Sequence, residues 1–238
     1  MPNNYFKFKQ FTIHQDNCAM KVCTDACLFG AYIANEIQQL PVKNILDIGT
    51  GTGLLTLMLA QKTSATMDAV EIDAAAFTQG KQNIEQSPWR EKIAIYNSDI
   101  LQFQTNKKYD CIISNPPFFE ADLKSGDEKK NFAKHDTSLT FTALLNIVTE
   151  NLLPAGFFSV LLPFRRSNYF EAEAAKINFN LIKKILIKQT PKHNHFRSIL
   201  IFSTKKLETI QEEIIIKNEE GNYSTKFIEL LKDYYLHL

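Results

Sequence analysis

The sequence predicts an α/β fold: a mostly parallel seven-stranded sheet with helices on both faces and an antiparallel hairpin at one edge. Three observations indicate this fold. Short apolar runs alternate with helical patterns from residue 43 to residue 162, which is the rhythm of βαβ units. The first run turns into a helix through the glycine-rich segment 47–53, as is typical of open parallel sheets. Two later runs, 181–188 and 198–203, are joined by a short connection and predict the hairpin.

The length and composition fit one globular domain. The chain has 238 residues, of which 45% are hydrophobic and 22% are charged, so it can bury a full core. No apolar run has membrane-spanning length, and residues 1–7 lack the apolar core of a signal peptide. We therefore expect a cytoplasmic protein without membrane association, formed by a single domain over 1–238 with an N-terminal arm at 1–23 and a core at 24–238.

The elements follow from the hydrophobic pattern in chain order. Residues 5–13 alternate apolar and polar side chains and predict an extended arm or hairpin strand. Thr24 or Asp25 is a candidate N-cap for a helix that ends before Pro41. Residues 119–138 form a long connection without a clear pattern, which is typical of a functional loop. The pattern further predicts strands at 43–48, 66–72, 92–96, 109–114 and 157–162, helices at 54–62, 74–86 and 140–151, a weaker strand at 210–216 and a C-terminal helix at 225–238.

The cysteines and histidines do not predict a metal site. Cys18, Cys23, Cys27 and Cys111 form no C-x-x-C pair, so we expect buried free thiols and no zinc. The two neighbouring histidines at 193 and 195 are interpreted as surface residues of a basic loop.

The charge is small in total but unevenly distributed. The formal net charge is +1, which argues against a general polyanion binder. Between Glu173 and Glu208 there is no acidic residue, whereas the same segment carries eight lysine and arginine residues. Segregated charge of this kind allows a local basic face on a neutral protein, and an ordinary solvated lysine-rich surface is the alternative.

The glycine-rich turn predicts a cofactor pocket. Gly49, Gly51 and Gly53 stand at alternate positions after a strand, where they let the backbone pass close to a ligand. Their spacing is G-x-G-x-G and not the G-x-G-x-x-G of dinucleotide-binding folds. Asp47 precedes them, and a carboxylate there repels a phosphate but suits a ligand ammonium group.

Acidic residues also follow the next two predicted strands. Glu71 ends the second strand, where a carboxylate accepts the hydroxyls of a ribose. Asp99 follows the third and is a candidate acceptor for an adenine amino group, with Ile72 and Ile100 on the two faces of the ring. A single acid would be interpreted as a helix cap, but three acids at three successive strand ends argue against that. An amine, a ribose and an adenine without phosphate fit S-adenosylmethionine and disfavour NAD.

The fourth strand is followed by Asn115, Pro116, Pro117 and Phe118. The prolines stop the strand because they cannot donate to a ladder, and the resulting stiff corner presents an amide, two carbonyl groups and an aromatic face. Alone, it would be interpreted as a strand-ending turn. Beside a cofactor pocket, Asn115 and Pro116 are candidate acceptors for the two hydrogens of an amino group, and Phe118 is a candidate stacking surface.

These motifs resemble those of class I S-adenosylmethionine-dependent methyltransferases, and over almost the whole chain the sequence is similar to the bacterial tRNA(Val) adenine-37 N6-methyltransferase family. The resemblance implies a Rossmann-like methyltransferase fold, S-adenosylmethionine as cofactor, and N6-methylation of an adenine in tRNA, adenine 37 of the anticodon loop of tRNA1(Val). It also implies that Thr24 and Asp25 close over the methionine end of the cofactor. The closer similarity lies in segments 8–15, 20–26, 131–135 and 223–236.

Basic residues at two places are candidates for contacts with the tRNA backbone. They are Lys130, Lys134 and His135 in the long loop, and Lys192 and Arg197 in the hairpin. The alternative reactions are methylation of a ribosomal RNA guanine at N2, of a DNA adenine at N6 or of a protein glutamine at N5, and the alternative outside enzymes is an inactive RNA-binding module. We expect a monomer or a weak dimer and no metal.

Overall fold

The computed structural model describes residues 4–16, 18, 20–116 and 139–238. These residues form ten strands and six α-helices. The strands are β1 (Tyr5–Lys7), β2 (Thr12–His14), β3 (Asn44–Ile48), β4 (Thr66–Glu71), β5 (Ile93–Asn97), β6 (Tyr109–Ser114), β7 (Leu152–Pro163), β8 (Asn180–Lys188), β9 (His195–Ser203) and β10 (Ile210–Ile215). The helices are α1 (Thr24–Gln38), α2 (Leu54–Ala60), α3 (Ala74–Glu85), α4 (Phe141–Asn151), α5 (Phe164–Lys176) and α6 (Thr225–Leu231).

Within the described residues, eight strands form one sheet in the order β10-β8-β9-β7-β6-β3-β4-β5. Only β9 runs antiparallel to its neighbours β7 and β8, and the other pairs are parallel. The predicted α/β class with a mostly parallel sheet is therefore confirmed. The strand number is eight and not seven, because the weakly predicted strand at 210–216 forms β10 and pairs with β8. The predicted hairpin is β8–β9, and because β10 is the outermost strand beside it, the hairpin does not form the edge of the sheet.

The parallel order brings the carboxyl ends of β3, β4, β5, β6 and β7 to one edge of the sheet, which we call the carboxyl edge. The connection between β8 and β9 reaches the same edge, because β8 runs parallel to β7. The pairing of Pro163, the last residue of β7, with Arg197 near the start of β9 shows this directly. All segments in which the sequence predicts functional residues, where the structure describes them, thus meet at this edge or in the helix α1 beside it.

Helices and the N-terminal hairpin cover both faces of the sheet. On one face, α1, α2 and α6 pack with the β1–β2 hairpin, which contributes Phe8, Phe11 and Ile13 to the core. On the other face, α4 and α5 pack around a group of aromatic rings that includes Phe158 and Phe202. The segment predicted as an arm is therefore part of the core.

Several predicted boundaries differ from the structure. The N-cap of α1 is Cys23, and neither Thr24 nor Asp25 caps it. Strand β7 begins five residues earlier than the predicted 157, because the chain continues through an irregularity in its pairing with β6. The C-terminal helix ends at Leu231 and not at 238, because Tyr235 pairs with Phe8 of the N-terminal segment.

The described residues also show the state of the cysteines and were searched for membrane spans and metal sites. All four cysteines are free, and Cys27 and Cys111 are buried as expected, whereas Cys23 is exposed. In the part of the chain that the structure describes, no helix is both long and apolar enough to cross a membrane. Among the same residues, no group of three or more His, Cys, Asp or Glu side chains is arranged to hold a metal ion.

Candidate active site

The glycine-rich turn between β3 and α2 needs its glycines for the backbone conformation. Gly49, Gly51 and Gly53 have φ angles of 73°, 57° and 82°, in the left-handed region that residues with a Cβ disfavour. The amides of Gly49 and Thr50 donate to the carbonyl of Val70 at 2.9 and 3.1 Å, which ties the turn to the end of β4. Helix α2 begins directly after Gly53. The turn is therefore held at the carboxyl edge, as predicted.

Helix α3 supports this turn from behind. A Cβ atom at Gly80 would lie only 2.6 Å from the carbonyl oxygen of Gly51, so the helix backbone directly contacts the turn. One turn further along, the buried Asn83 side chain donates to the carbonyls of Thr52 and His14, each at 2.9 Å, and accepts from the His14 amide at 2.9 Å. Asn83 thus joins the N-terminal hairpin to the glycine turn. Sequence reasoning missed both residues, because neither belongs to a recognisable pattern.

Asp47 is buried near the end of β3 and is only half satisfied. Its Oδ2 atom accepts hydrogen bonds from the hydroxyls of Thr50 and Thr56, at 2.8 and 2.7 Å. Its buried Oδ1 atom has no donor among the described residues. Burial raises the pKa of the Asp47 carboxyl to about 6, although the threonine hydroxyls act in the opposite direction. A buried acceptor without a donor is costly, and this arrangement fits a ligand that donates, such as an ammonium group.

Glu71 ends β4 and faces the glycine turn. Its Oε2 accepts from the Gly51 amide at 2.8 Å, and its Oε1 accepts from the Asp73 amide at 2.9 Å. Each carboxylate oxygen has a second acceptor position, so these bonds leave room for two ribose hydroxyls. Asp73 has a different role, since its side chain accepts from the Ala76 amide and caps α3.

The third predicted acid lies in a turn after β5. The Asp99 side chain accepts a local hydrogen bond from the Leu101 amide at 2.9 Å. Of the two isoleucines predicted to contact an adenine, Ile72 is 61% exposed, whereas Ile100 is 9% exposed and packs in the core. Leu101, which the sequence analysis did not select, is an exposed apolar neighbour. Ile72 and Leu101 are thus the exposed apolar side chains after β4 and β5.

Asn115 follows β6 at the centre of the carboxyl edge. The Ser114 hydroxyl donates to the Ile48 carbonyl at 2.9 Å, so the ends of β6 and β3 are locked together. The buried Oδ1 atom of Asn115 has no hydrogen-bond donor in the described part of the chain. Pro116 is buried, while Pro117 and Phe118 lie outside the described residues. Among the described residues, the site therefore contains a second buried acceptor without a donor, on the strand next to the first.

The residues predicted to close over the cofactor form the first turn of α1. Thr24 is exposed, and the Asp25 carboxylate accepts from Arg197 Nε at 2.7 Å. Arg197, predicted as a tRNA contact, is thus paired with an acid at the carboxyl edge. Lys192 is exposed in the β8–β9 connection at the same edge. The other predicted tRNA contacts, Lys130, Lys134 and His135, lie outside the described residues.

Comparison with known proteins identifies the family. The model of the methyltransferase small domain matches residues 30–161. A tRNA1(Val) (adenine(37)-N6)-methyltransferase of Dyadobacter fermentans is 43% identical over 242 residues, covering 99% of both chains. A protein of the same name from Bacteroides thetaiotaomicron is 37% identical over 240 residues and covers 100% of both chains. This chain belongs to the tRNA1(Val) (adenine(37)-N6)-methyltransferase family. The family predicted from the sequence motifs is thereby confirmed.

Solved structures agree on the fold of this methyltransferase. A predicted O-methyltransferase from Agrobacterium tumefaciens superimposes with a TM-score of 0.67 at 14% identity, over 88% of this chain and 96% of that chain. The glycopeptide N-methyltransferase MtfA in complex with S-adenosylmethionine gives a TM-score of 0.55 at 12% identity, over 74% of this chain and 88% of that chain. At these identities the likeness shows the fold alone, and it confirms the predicted Rossmann-like methyltransferase fold.

Proposed function

We propose that this methyltransferase transfers a methyl group from S-adenosylmethionine to N6 of an adenine in tRNA, at adenine 37 in the anticodon loop of tRNA1(Val). The observation that carries the proposal is the buried Oδ1 atom of Asn115 at the end of β6, which has no hydrogen-bond donor among the described residues. It lies at the edge that also carries the glycine turn and Glu71, and an exocyclic amino group is the donor that it fits. The activity named for whole-length relatives agrees with this reading.

The residues around the glycine turn fit S-adenosylmethionine. The Oδ1 atom of Asp47 would accept from the ammonium of the methionine part. Glu71 would accept the ribose hydroxyls, and Asp99 the adenine amino group, with Ile72 beside the ring. An acid at the end of β3 argues against a phosphate-containing cofactor, as the glycine spacing also does. When bound, S-adenosylmethionine supplies an electrophilic methyl group on its sulfonium.

The corner after β6 addresses the weak nucleophilicity of the target. The lone pair of an adenine amino nitrogen is delocalised into the ring. Asn115 Oδ1 and the carbonyl oxygen of Pro116 would accept the two amino hydrogens, which favours a tetrahedral nitrogen with its lone pair directed at the methyl group. Catalysis is then mainly positioning for in-line transfer, and the proton leaves to water afterwards. Stacking of Phe118 on the base remains a prediction from the sequence.

The target base has to leave its stack in the anticodon loop to reach Asn115. Exposed cations at the carboxyl edge, such as Lys192, would bind the phosphates around it. We propose that the protein acts on tRNA in the cytoplasm, as a monomer or a weak dimer. Sedimentation analysis with and without tRNA measures the oligomeric state.

The decisive experiment incubates the protein with labelled S-adenosylmethionine and a tRNA1(Val) transcript, followed by mass mapping of the modified nucleoside. N6-methyladenosine at position 37 is expected, and a transcript with guanine at that position should remain unlabelled. Ribosomal RNA, duplex DNA and a glutamine-containing protein extract serve as parallel substrates. Label in one of these and not in the tRNA would replace the proposed reaction with the corresponding alternative. If none of the substrates is labelled, the result would favour the alternative of an inactive RNA-binding module.

Asn115→Ala tests the mechanism. Turnover with tRNA should fall at least about 100-fold, the loss typical of removing one preorganised hydrogen-bonding group from an active site. The melting temperature should not fall, because the Oδ1 atom has no donor to lose among the described residues. Asn115→Asp is the matched variant, since it keeps an acceptor oxygen and should retain more activity than alanine. Normal turnover of Asn115→Ala would show that the amide does not hold the target amino group.

A further inference from the structure

Two buried residues of α3, Gly80 and Asn83, contact the glycine turn directly. They are three positions apart and therefore lie on the same side of the helix. A Cβ atom at position 80 would lie 2.6 Å from the carbonyl oxygen of Gly51 and 3.2 Å from the side chain of Ile95. The helix can approach the turn this closely only because position 80 has no side chain, so the helix backbone determines where the turn lies.

The peptide of Gly51 is held through both of its polar groups. Its amide donates to Glu71 Oε2 at 2.8 Å, and its carbonyl oxygen lies against Gly80. Glu71 is the acid that would accept the ribose hydroxyls of the cofactor. A displacement of Gly51 would therefore also move the amide that holds this carboxylate.

The side chain of Asn83 uses all of its donor hydrogens. Its Nδ2 atom donates to the carbonyl oxygens of Thr52 and His14, each at 2.9 Å. Its Oδ1 atom accepts from the amide of His14 at 2.9 Å. A side-chain amide has two donor hydrogens, whereas an ionised carboxylate has none and a hydroxyl has only one. The position therefore requires a short side-chain amide.

The same amide connects the glycine turn with the beginning of α1. His14 is the last residue of β2, and the next residue, Gln15, is buried. The Oε1 atom of Gln15 accepts from the amide of Val22 at 2.8 Å, two residues before α1 begins. Hydrogen bonds thus lead from the turn through Asn83 and the hairpin to the helix that carries Asp25. Asn83 joins the two sides of the proposed cofactor pocket.

We infer that Gly80 and Asn83 are positioning residues for the cofactor, because they hold the glycine turn in the place where it binds S-adenosylmethionine. They act through the turn and not on the reacting atoms. If the turn is displaced, the ligand binds with poorer contacts or has to force the turn back. The loss should therefore appear in the affinity for the cofactor and not in kcat at saturating cofactor. The inference rests on the proposed function, from which it takes the position of the cofactor.

Gly80→Ala tests the helix contact, with Gly156→Ala as its matched control. A Cβ atom at Gly156 would lie 2.8 Å from the carbonyl oxygen of Asp110, so it creates a similar clash near the start of β6, away from the carboxyl edge. Both variants should lower the melting temperature. Gly80→Ala should raise the dissociation constant for S-adenosylmethionine about tenfold, within the range that overpacking costs. In Gly156→Ala this constant should stay within about twofold, because the clash is distant from the turn.

Asn83→Ala tests the amide, with Asp110→Ala as its matched control. Asp110 Oδ2 accepts from the backbone amides of Lys43 and Asn44, each at 2.9 Å, so this side chain also joins two segments. Both variants should lose stability, because each leaves backbone groups without their partner. Only Asn83→Ala should raise the KM for S-adenosylmethionine, about tenfold. Its kcat at saturating cofactor and its KM for tRNA should stay within about twofold.

Calorimetric titration with S-adenosylmethionine measures the affinity of each folded variant without tRNA. Unchanged affinity in Gly80→Ala, or an equal loss in Gly80→Ala and Gly156→Ala, would overturn the inference. An Asn83→Ala variant that loses only stability, as Asp110→Ala should, would overturn it for Asn83. If Asn83→Ala does not fold, the two glycine variants decide the inference. Failure of the unmodified protein to methylate tRNA, with cofactor affinities that follow the expected pattern, would overturn the proposed function and not this inference.

Discussion

Two buried aspartates on neighbouring strands, Asp47 of β3 and Asp68 of β4, have opposite surroundings. Asp68 accepts from Lys107 Nζ at 3.0 and 2.9 Å and from the Tyr109 hydroxyl at 2.8 Å, so both of its oxygens are satisfied. Asp47 has hydroxyl donors on Oδ2 only, and its Oδ1 has none among the described residues. The fully paired acid lies in the middle of its strand, and the half-paired acid lies near the carboxyl edge. The difference separates an acid that stabilises the fold from one that we propose binds a ligand.

The surroundings of Asp47 also shift the pKa of its carboxyl group. Burial raises the pKa of this carboxyl from 3.8 to about 6. The folded chain therefore favours the protonated carboxyl more strongly than the unfolded chain does. This preference stabilises the fold fully below about pH 4, and the stabilisation is lost as the pH rises through about 6. Above pH 6, the unliganded fold carries a cost of about 3 kcal/mol from this group. A bound ammonium would remove much of this cost.

Asp47→Asn should have the largest effect on the cofactor. The dissociation constant for S-adenosylmethionine at pH 7.5 should rise about 100-fold, because removing one partner of a buried charge pair costs 2–5 kcal/mol or more. The free energy of unfolding without cofactor should stay the same or increase, since the buried charge is gone. Calorimetric titration and urea denaturation measure the two quantities. If the Asp47→Asn variant folds stably and binds the cofactor with unchanged affinity, Asp47 does not bind the ammonium of S-adenosylmethionine.

Asp68→Asn should reduce the stability of the fold and not the binding of the cofactor. The free energy of unfolding should fall by about 2 kcal/mol, because the change removes the charge that pairs with Lys107 and disturbs the acceptor of the buried Tyr109 hydroxyl. The cofactor affinity of the folded protein should remain unchanged. Lys107→Met is a useful companion, since the lysine side chain is half exposed and its loss should cost less than the loss of the acid. Weaker cofactor binding in Asp68→Asn would remove the distinction between the two aspartates.

The pH dependence of cofactor binding should follow the carboxyl of Asp47. With its pKa near 6, the carboxylate form increases about tenfold in population between pH 5 and pH 7. The dissociation constant for S-adenosylmethionine should therefore fall about tenfold over this interval and level off above it. In Asp47→Asn the profile should be flat. The same inflection in both proteins would assign it to another group.

The comparison also shows what the sequence can predict and why. Asp47, Glu71 and Asn115 follow apolar runs, and since parallel strands share their carboxyl edge, their position near strand ends was enough to bring them together. Asn83 acts from the middle of a helix, where a buried amide has no pattern of its own. The start of β7 was placed too late because Pro154 is normally excluded from a strand interior, and here it lies where the ladder to β6 is irregular.

The role of Arg197 depended on a contact that no local pattern contains. In the sequence it is one cation in a basic segment, and it was predicted to bind phosphate. In the fold it pairs with Asp25, which precedes it by 172 residues. The Asp25 side chain is 12% exposed. Asp25 therefore combines the two cases above: it is paired, as Asp68 is, but it lies at the carboxyl edge, as Asp47 does.

Arg197→Gln and Lys192→Gln should separate these two roles, with the smallest effects of the series. If Arg197 positions Asp25 beside the cofactor, its loss should raise the KM for S-adenosylmethionine about fivefold, as expected for a partly buried ion pair worth about 1 kcal/mol. Lys192 is exposed, and its loss should instead raise the KM for tRNA and reduce the salt slope by about one. Asp25→Asn should reproduce Arg197→Gln, and the double variant should add little, since both changes break one pair. A reduced salt slope in Arg197→Gln with an unchanged KM for S-adenosylmethionine would show that Arg197 contacts the tRNA and does not position Asp25.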